Sequence, residues 1–189
     1  MWRAVDEGDG MRAIETRAGA AHVRQDGAED GPALVLSHAL GTESRVWDRL
    51  VARLPAGLRI IRYDKRGHGL SALPPRPWSM ADLAGDLADI LDALGVRDAA
   101  ICGLSVGGMV AQTVAAERRD LAGALILCDT AAKIATPGEW DRRIAAVEAG
   151  GVAALAGAVL ERWFPPAFRE ERSDELALWR AMLERTPAS

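Results

Sequence analysis

Ser105 stands at the centre of Gly103-Leu104-Ser105-Val106-Gly107, directly after the apolar run Ala99-Ala100-Ile101-Cys102. A strand that turns sharply into a helix, with serine at the apex, is the setting of a nucleophile elbow. The flanking glycines suit backbone angles that other residues resist and let the returning helix pack close to the strand. The serine oxygen then projects near the positive end of that helix. The chemistry this supports is attack on a carbonyl carbon. Such a serine needs a base, yet the last of the three histidines, His68, comes well before it.

Two further loops carry unusual content, His38-Ala39-Leu40-Gly41-Thr42 and Tyr63-Asp64-Lys65-Arg66-Gly67-His68-Gly69-Leu70-Ser71. Each leaves the end of an apolar run, and open parallel sheets bind ligands at the carboxyl ends of their strands. His38 and His68 are the histidines that could act as bases; hydrogen bonding that braces the loops is the competing role for both. Asp64 beside Lys65 and Arg66 reads as an ion pair holding its loop. Asp129, at the end of a strand, is a candidate acid. Cys102 and Cys128 close two apolar runs and read as buried reduced thiols; a disulfide is conceivable if their strands are neighbours. There is no Cys-x-x-Cys and no Cys/His cluster, so no metal site is expected.

These loops need elements to hold them. Met11 to Thr16 and Ala20 to Gln25 read as short strands. Ala33 to Ser37, Leu58 to Tyr63, Ala99 to Cys102 and Leu121 to Cys128 are near-continuous apolar runs, as in parallel strands covered on both faces. Thr42 to Leu54 has helical spacing. Ser79 opens an amphipathic helix with Asp82 at its capping-box position and a stripe of Leu83, Leu87, Ile90, Leu91 and Leu94. Asp82, Asp86 and Asp89 are read as its solvated face. A further helix follows the elbow, from Gly107 to Glu117. Alternation of strand and helix predicts an α/β fold, a doubly wound and mostly parallel sheet with right-handed crossovers. From Thr136 onward the pattern is helical only, over Glu139 to Glu148, Val152 to Trp163 and Asp174 to Glu184, with Pro165-Pro166 as a break. The expected division is a core over residues 1–132 and a helical cap over 133–189.

These segments, taken together and in order, resemble the α/β-hydrolase fold, and more closely the 3-oxoadipate enol-lactonases. The closer resemblance rests on Leu36-Ser37-His38-Ala39-Leu40-Gly41-Thr42, on Tyr63 to Ser71, on Leu127-Cys128-Asp129-Thr130-Ala131-Ala132-Lys133-Ile134 and on Leu160-Glu161-Arg162-Trp163-Phe164. The resemblance implies Ser105 as nucleophile and the backbone N–H groups of Leu40 and Val106 as the oxyanion hole. It implies a small carboxylated enol-lactone as substrate, opened to 3-oxoadipate in aromatic catabolism, with no cofactor and no metal. In the cap, Trp140 and Trp163 are candidate substrate contacts, while Trp179 reads as cap core. Arg66, Arg142 and Arg143 are candidates for the substrate carboxylate. The family continues past its cap with two more strands, an acid and a histidine, so the chain is expected to stop short of them and to leave an apolar strand on the sheet's edge. A small-ester hydrolase or perhydrolase, a non-catalytic binding fragment, and a split enzyme completed by another chain stay open beside the enol-lactonase reading.

The 189 residues are 49% hydrophobic and 26% charged with net charge −4, an ordinary balance for one globular protein. The arginines are scattered among acids, which argues against nucleic acid. No apolar run approaches the roughly 20 residues of a membrane span, and the polar N-terminal residues are unlike a signal peptide. A cytoplasmic protein acting on a small molecule is expected, as a homo-oligomer, with a complementing chain, or alone.

Overall fold

A computed structural model describes residues 11–187. Strands β1 (Met11–Thr16) and β2 (Gly19–Gly27) form an antiparallel hairpin. Its turn needs positive φ, and Gly19 supplies it at 99°. Strands β3 (Ala33–Ser37), β4 (Arg59–Tyr63), β5 (Ala99–Leu104) and β6 (Ala122–Cys128) complete one sheet. Its order is β1-β2-β4-β3-β5-β6; β2 meets β4 antiparallel, and all later pairings are parallel. The expected mostly parallel sheet is therefore present, with an antiparallel hairpin on one side.

Helices α2 (Met80–Ala93) and α3 (Val106–Glu117) pack together on one face. There Val35, Ile61, Ile101, Leu87, Ile90 and Val110 are fully buried. The other face buries Leu34, Leu36, Trp47, Ile60 and Cys102. A 3-10 turn (Ser44–Trp47) and one α-helical turn, α1 (Asp48–Val51), stand where the spacing predicts a continuous Thr42–Leu54 helix. The cause is polar anchoring. The Ser44 N–H donates to Asp64, while Asp48 is drawn onto the Arg62 guanidinium. These bonds tie the segment to β4 and to the loop that follows it.

Strand β6 is paired on one side only among the described residues. Its apolar residues Leu125, Ile126 and Leu127 are 36–48% exposed. A strand of this composition is built to be covered on both faces, and here it forms an edge.

The chain divides into two compact units, residues 1–134 and 135–189. In the described part of the second lie α4 (Pro137–Gly150), α5 (Ala153–Trp163), α6 (Pro166–Glu171) and α7 (Ser173–Glu184). Thr136 and Glu139 make a reciprocal cap on α4. The Pro165-Pro166 break opens a short helix of its own, because proline is tolerated in a first turn. Ala156, Leu160, Met182 and Leu183 are buried. Phe164 stacks on Phe168 with centroids 4.6 Å apart and lies 5.8 Å from the half-buried Trp179. Among the described residues no helix is long and apolar enough to cross a membrane.

Candidate active site

The elbow is built by the β5–α3 junction. Ser105 has φ 54° and ψ −118°, angles that glycine adopts freely and serine does not. Four hydrogen bonds hold it there. The Ser105 N–H donates to the Cys128 carbonyl at 2.9 Å, and the Gly108 and Met109 N–H groups donate to the Ser105 carbonyl at 2.9 and 3.3 Å. The Thr130 hydroxyl donates to that same carbonyl at 2.6 Å. Thr130 is thus a positioning residue, and its place two residues past the end of β6 is what brings it to the elbow. Ser105 occupies the N-cap position of α3, yet its side chain makes no capping bond. The hydroxyl is thus not consumed by the helix. Because the strained backbone serves no bond of the side chain, Ser105→Gly should raise stability by about 1 kcal/mol. Urea unfolding of the two chains checks this; an unchanged or lower midpoint contradicts it.

Leu40 follows β3, the neighbour of β5, and the register pairs Ser37 with Gly103. The Leu40 loop and the elbow therefore leave the same end of the sheet. Among the described residues no hydrogen bond is made to the backbone N–H of Leu40 or of Val106. Val106 heads α3, where the first amides lack helical partners. The Leu40 side chain is 49% exposed, whereas that of Val106 is buried.

None of the three histidines serves Ser105. His38 accepts from the Lys65 N–H through Nε2 at 2.9 Å, which leaves Nδ1 to donate to the Ala39 carbonyl at 2.8 Å. His68 accepts from the Gly41 N–H through Nε2 at 3.1 Å and donates from Nδ1 to the Arg66 carbonyl at 3.0 Å. Both rings are spent bracing the Leu40 loop against the Lys65 loop, the role that competed with catalysis in the sequence. His22 lies on β2, three strands from β5, roughly 14 Å at the usual strand spacing. Its Nδ1 meets Asp64 at 2.7 Å.

Burial pushes His38 well below its ordinary value, aided by Lys65 and His68. Burial likewise lowers His68, to about 4. Both rings stay neutral in the fold, so below pH 6.5 the unfolded chain takes up their protons first. Stability should therefore fall as pH drops from about 6.5 to 4, by about 3 kcal/mol for His68 alone. Urea midpoints measured across that window test it, and a flat profile refutes it.

The acidic and basic residues of these loops pair differently from expectation. Asp64 does not pair with Lys65 or Arg66. It takes hydrogen bonds from His22 and from the N–H groups of Ser44 and Leu70. Burial pushes its carboxyl up, but these bonds outweigh it and hold the group well below the usual carboxylate range. Lys65 is fully enclosed, donates to the His38 carbonyl and lies 5.5 Å above the Tyr63 ring. Burial lowers its ammonium well below the ordinary value.

Arg66 is not available for a substrate carboxylate, because it forms a buried two-bond pair with Asp86 at 2.6 and 2.7 Å. Asp86 accordingly leaves the solvated face expected of it, while Asp82 caps Ser79 and Asp89 holds Arg17. Asp86→Ala strands the Arg66 charge and should cost about 3 kcal/mol, read as a fall in the urea midpoint. A loss under about 1 kcal/mol would show that Arg66 finds water or another partner.

In the second unit, Trp140 is half-buried on α4 with the Arg143 guanidinium 5.0 Å from its ring. Trp163, also half-buried, ends α5. Asp129 follows β6 with φ 42°. Among the described residues no group of three or more His, Cys, Asp or Glu side chains is placed to hold a metal ion.

Known proteins share this fold. The chain is 37% identical over 155 residues to 3-oxoadipate enol-lactonase 1 of Acinetobacter baylyi, a match covering 82% of this chain and 58% of the relative. The chain thus spans little more than half the length of that relative. The enol-lactonase structure from Burkholderia xenovorans LB400 superposes with a TM-score of 0.90 at 36% identity, over 94% of this chain and 69% of that one. A hydrolase structure from Pseudomonas aeruginosa PA01 gives 0.89 at 38% identity, over 97% and 69%. Residues 32–168, most of the chain, match the family described as the alpha/beta hydrolase fold, and to that family this chain belongs.

Proposed function

We propose that this protein opens a small carboxylated enol-lactone, converting 3-oxoadipate enol-lactone to 3-oxoadipate, with Ser105 as nucleophile. The observation that carries the reading is the Ser105 backbone, held at positive φ by four hydrogen bonds while its hydroxyl caps nothing. The similarity to proteins named enol-lactonases supplies the substrate class.

In this reading the Ser105 oxygen attacks the ring carbonyl carbon. The developing oxyanion is met by the N–H groups of Leu40 and Val106, and a single such donor is worth about 3 kcal/mol of barrier in acyl transfer. The ring C–O bond breaks, the enolate leaves as a ketone, and water then releases the acyl group. A stabilised enolate departs without strong acid help. The base for Ser105 lies outside His22, His38 and His68, whose ring nitrogens or positions are committed elsewhere. A complementing chain seated on the open β6 edge is one source of it. Trp140 and Trp163 are assigned to the substrate, a small molecule, with no nucleic acid or membrane as partner. Two free thiols fit a reducing, cytoplasmic setting.

The test compares 3-oxoadipate enol-lactone with a plain aliphatic ester of similar size, using the wild-type chain and Ser105→Ala. Faster hydrolysis of the lactone by wild type alone supports the reading. Preference for the plain ester overturns the substrate, and equal rates in both chains overturn the nucleophile.

A further inference from the structure

Cys102 on β5 and Cys128 on β6 are free, and their sulfurs are 4.0 Å apart. The parallel register places Cys102 opposite Ile126 and Leu104 opposite Cys128. The two thiols are therefore diagonal neighbours on one face of the sheet, among Leu36, Trp47 and Leu104. Cys102 is 5% exposed, whereas Cys128 is reachable from solvent. From this geometry we infer that Cys102 and Cys128 form an oxidisable dithiol, a modification site whose disulfide ties the edge strand β6 to β5 directly beneath the elbow.

The reaction runs in two balanced steps with a peroxide as oxidant. The Cys128 thiolate attacks one peroxide oxygen; the O–O bond breaks, water or an alcohol leaves, and Cys128 becomes a sulfenic acid. The Cys102 sulfur then attacks the Cys128 sulfur; the S–S bond forms, the S–O bond breaks and water leaves. Two thiols lose two hydrogens and two electrons, and the peroxide gains them. The order follows from access. Cys128 meets the oxidant first, while burial and the neighbouring Cys128 push the Cys102 thiol up to about 12 and make it the resolving partner.

Closing the gap from 4.0 Å to a bond of about 2.05 Å requires movement. Diagonal Cα atoms on neighbouring strands lie about 7–8 Å apart, beyond the roughly 4.4–6.8 Å of a bridge, so the backbone of one strand must shift. Strand β6 can supply the shift because its outer edge carries no ladder bonds among the described residues. The shift is felt at Ser105, whose N–H is bonded to the Cys128 carbonyl.

The chain contains two cysteines, so an intramolecular disulfide has one assignment. The reduced 189-residue chain is treated with stoichiometric hydrogen peroxide, quenched with N-ethylmaleimide and weighed intact. The expected product is a monomer lighter by two hydrogens, without maleimide, restored by dithiothreitol. Cys128→Ser should show no such loss. Two alkylated thiols after treatment, a disulfide-linked dimer, or a product stopped at sulfinic acid each overturn the inference. In the oxidised form, hydrogen exchange at the Ser105 amide should slow about tenfold; an unchanged rate overturns the connection to the elbow.

Discussion

Gly107→Ala should leave the chain unable to reach its native state, a loss of at least about 4 kcal/mol. A Cβ at Gly107 would sit inside the van der Waals envelope of the Ser37 carbonyl oxygen and 2.6 Å from that of His38. Both obstacles are backbone atoms at the end of β3. That strand is held on each side by ladder bonds to β4 and β5, so it cannot yield as a flexible side chain would. The alternative, moving α3 outward, opens the packing of Val110, Ala111 and Val114, all fully or nearly fully buried. Either response costs more than an ordinary surface change.

Gly157 supplies the matched control. It lies in α5 with nothing within 4 Å of the Cβ position. The same substitution there should raise stability by up to about 1 kcal/mol, because alanine is the better helix former. The pair is read by urea unfolding and by thermal melts followed by circular dichroism. A cooperative Gly107→Ala chain within about 1 kcal/mol of wild type would show that the loop and the elbow do not clamp each other.

The contrast explains which parts of this molecule were legible in its sequence. The strands were readable because apolar runs bounded by Gly and Pro leave few alternatives, and the elbow was readable because glycine flanks Ser105 on both sides. Charge pairing was not, since it depends on which strands become neighbours. Asp64 meets His22 because β2 pairs with β4 in the register Val23 to Tyr63. No local pattern around residue 22 announces that antiparallel contact.

Asp86 is a different case, because the signal existed. It is three residues after Leu83 and four before Ile90, both on the apolar stripe, so its helical position is the buried one. The three aspartates therefore do not share one polar face. A charge placed on a buried stripe implies a buried partner, and Arg66 is that partner. The histidines carried the opposite risk: their residue type suggests catalysis, but the ring nitrogens of His38 and His68 are engaged with backbone groups.

That engagement leads to the second large effect. Added imidazole should accelerate enol-lactone opening by this chain about a hundredfold, in a saturable way, and should do nothing of the kind for Ser105→Ala. General-base catalysis by a positioned imidazole is worth about 10²–10⁴ in rate. In triad enzymes the oxyanion hole and binding survive the loss of the base, while the serine becomes a poor nucleophile. The same condition holds here if Ser105 is the nucleophile and no resident histidine reaches it. A free imidazole entering beside Ser105 supplies a proton acceptor that His22, His38 and His68 do not, and only its neutral form can do so. The acceleration should therefore rise with pH through the imidazole titration and then level off. Solution catalysis by imidazole proceeds without the protein and is subtracted directly. Acceleration of wild type and Ser105→Ala to the same extent would place the chemistry outside the elbow. A high rate without imidazole, lost in Ser105→Ala, would mean that a group other than the three histidines already takes the proton.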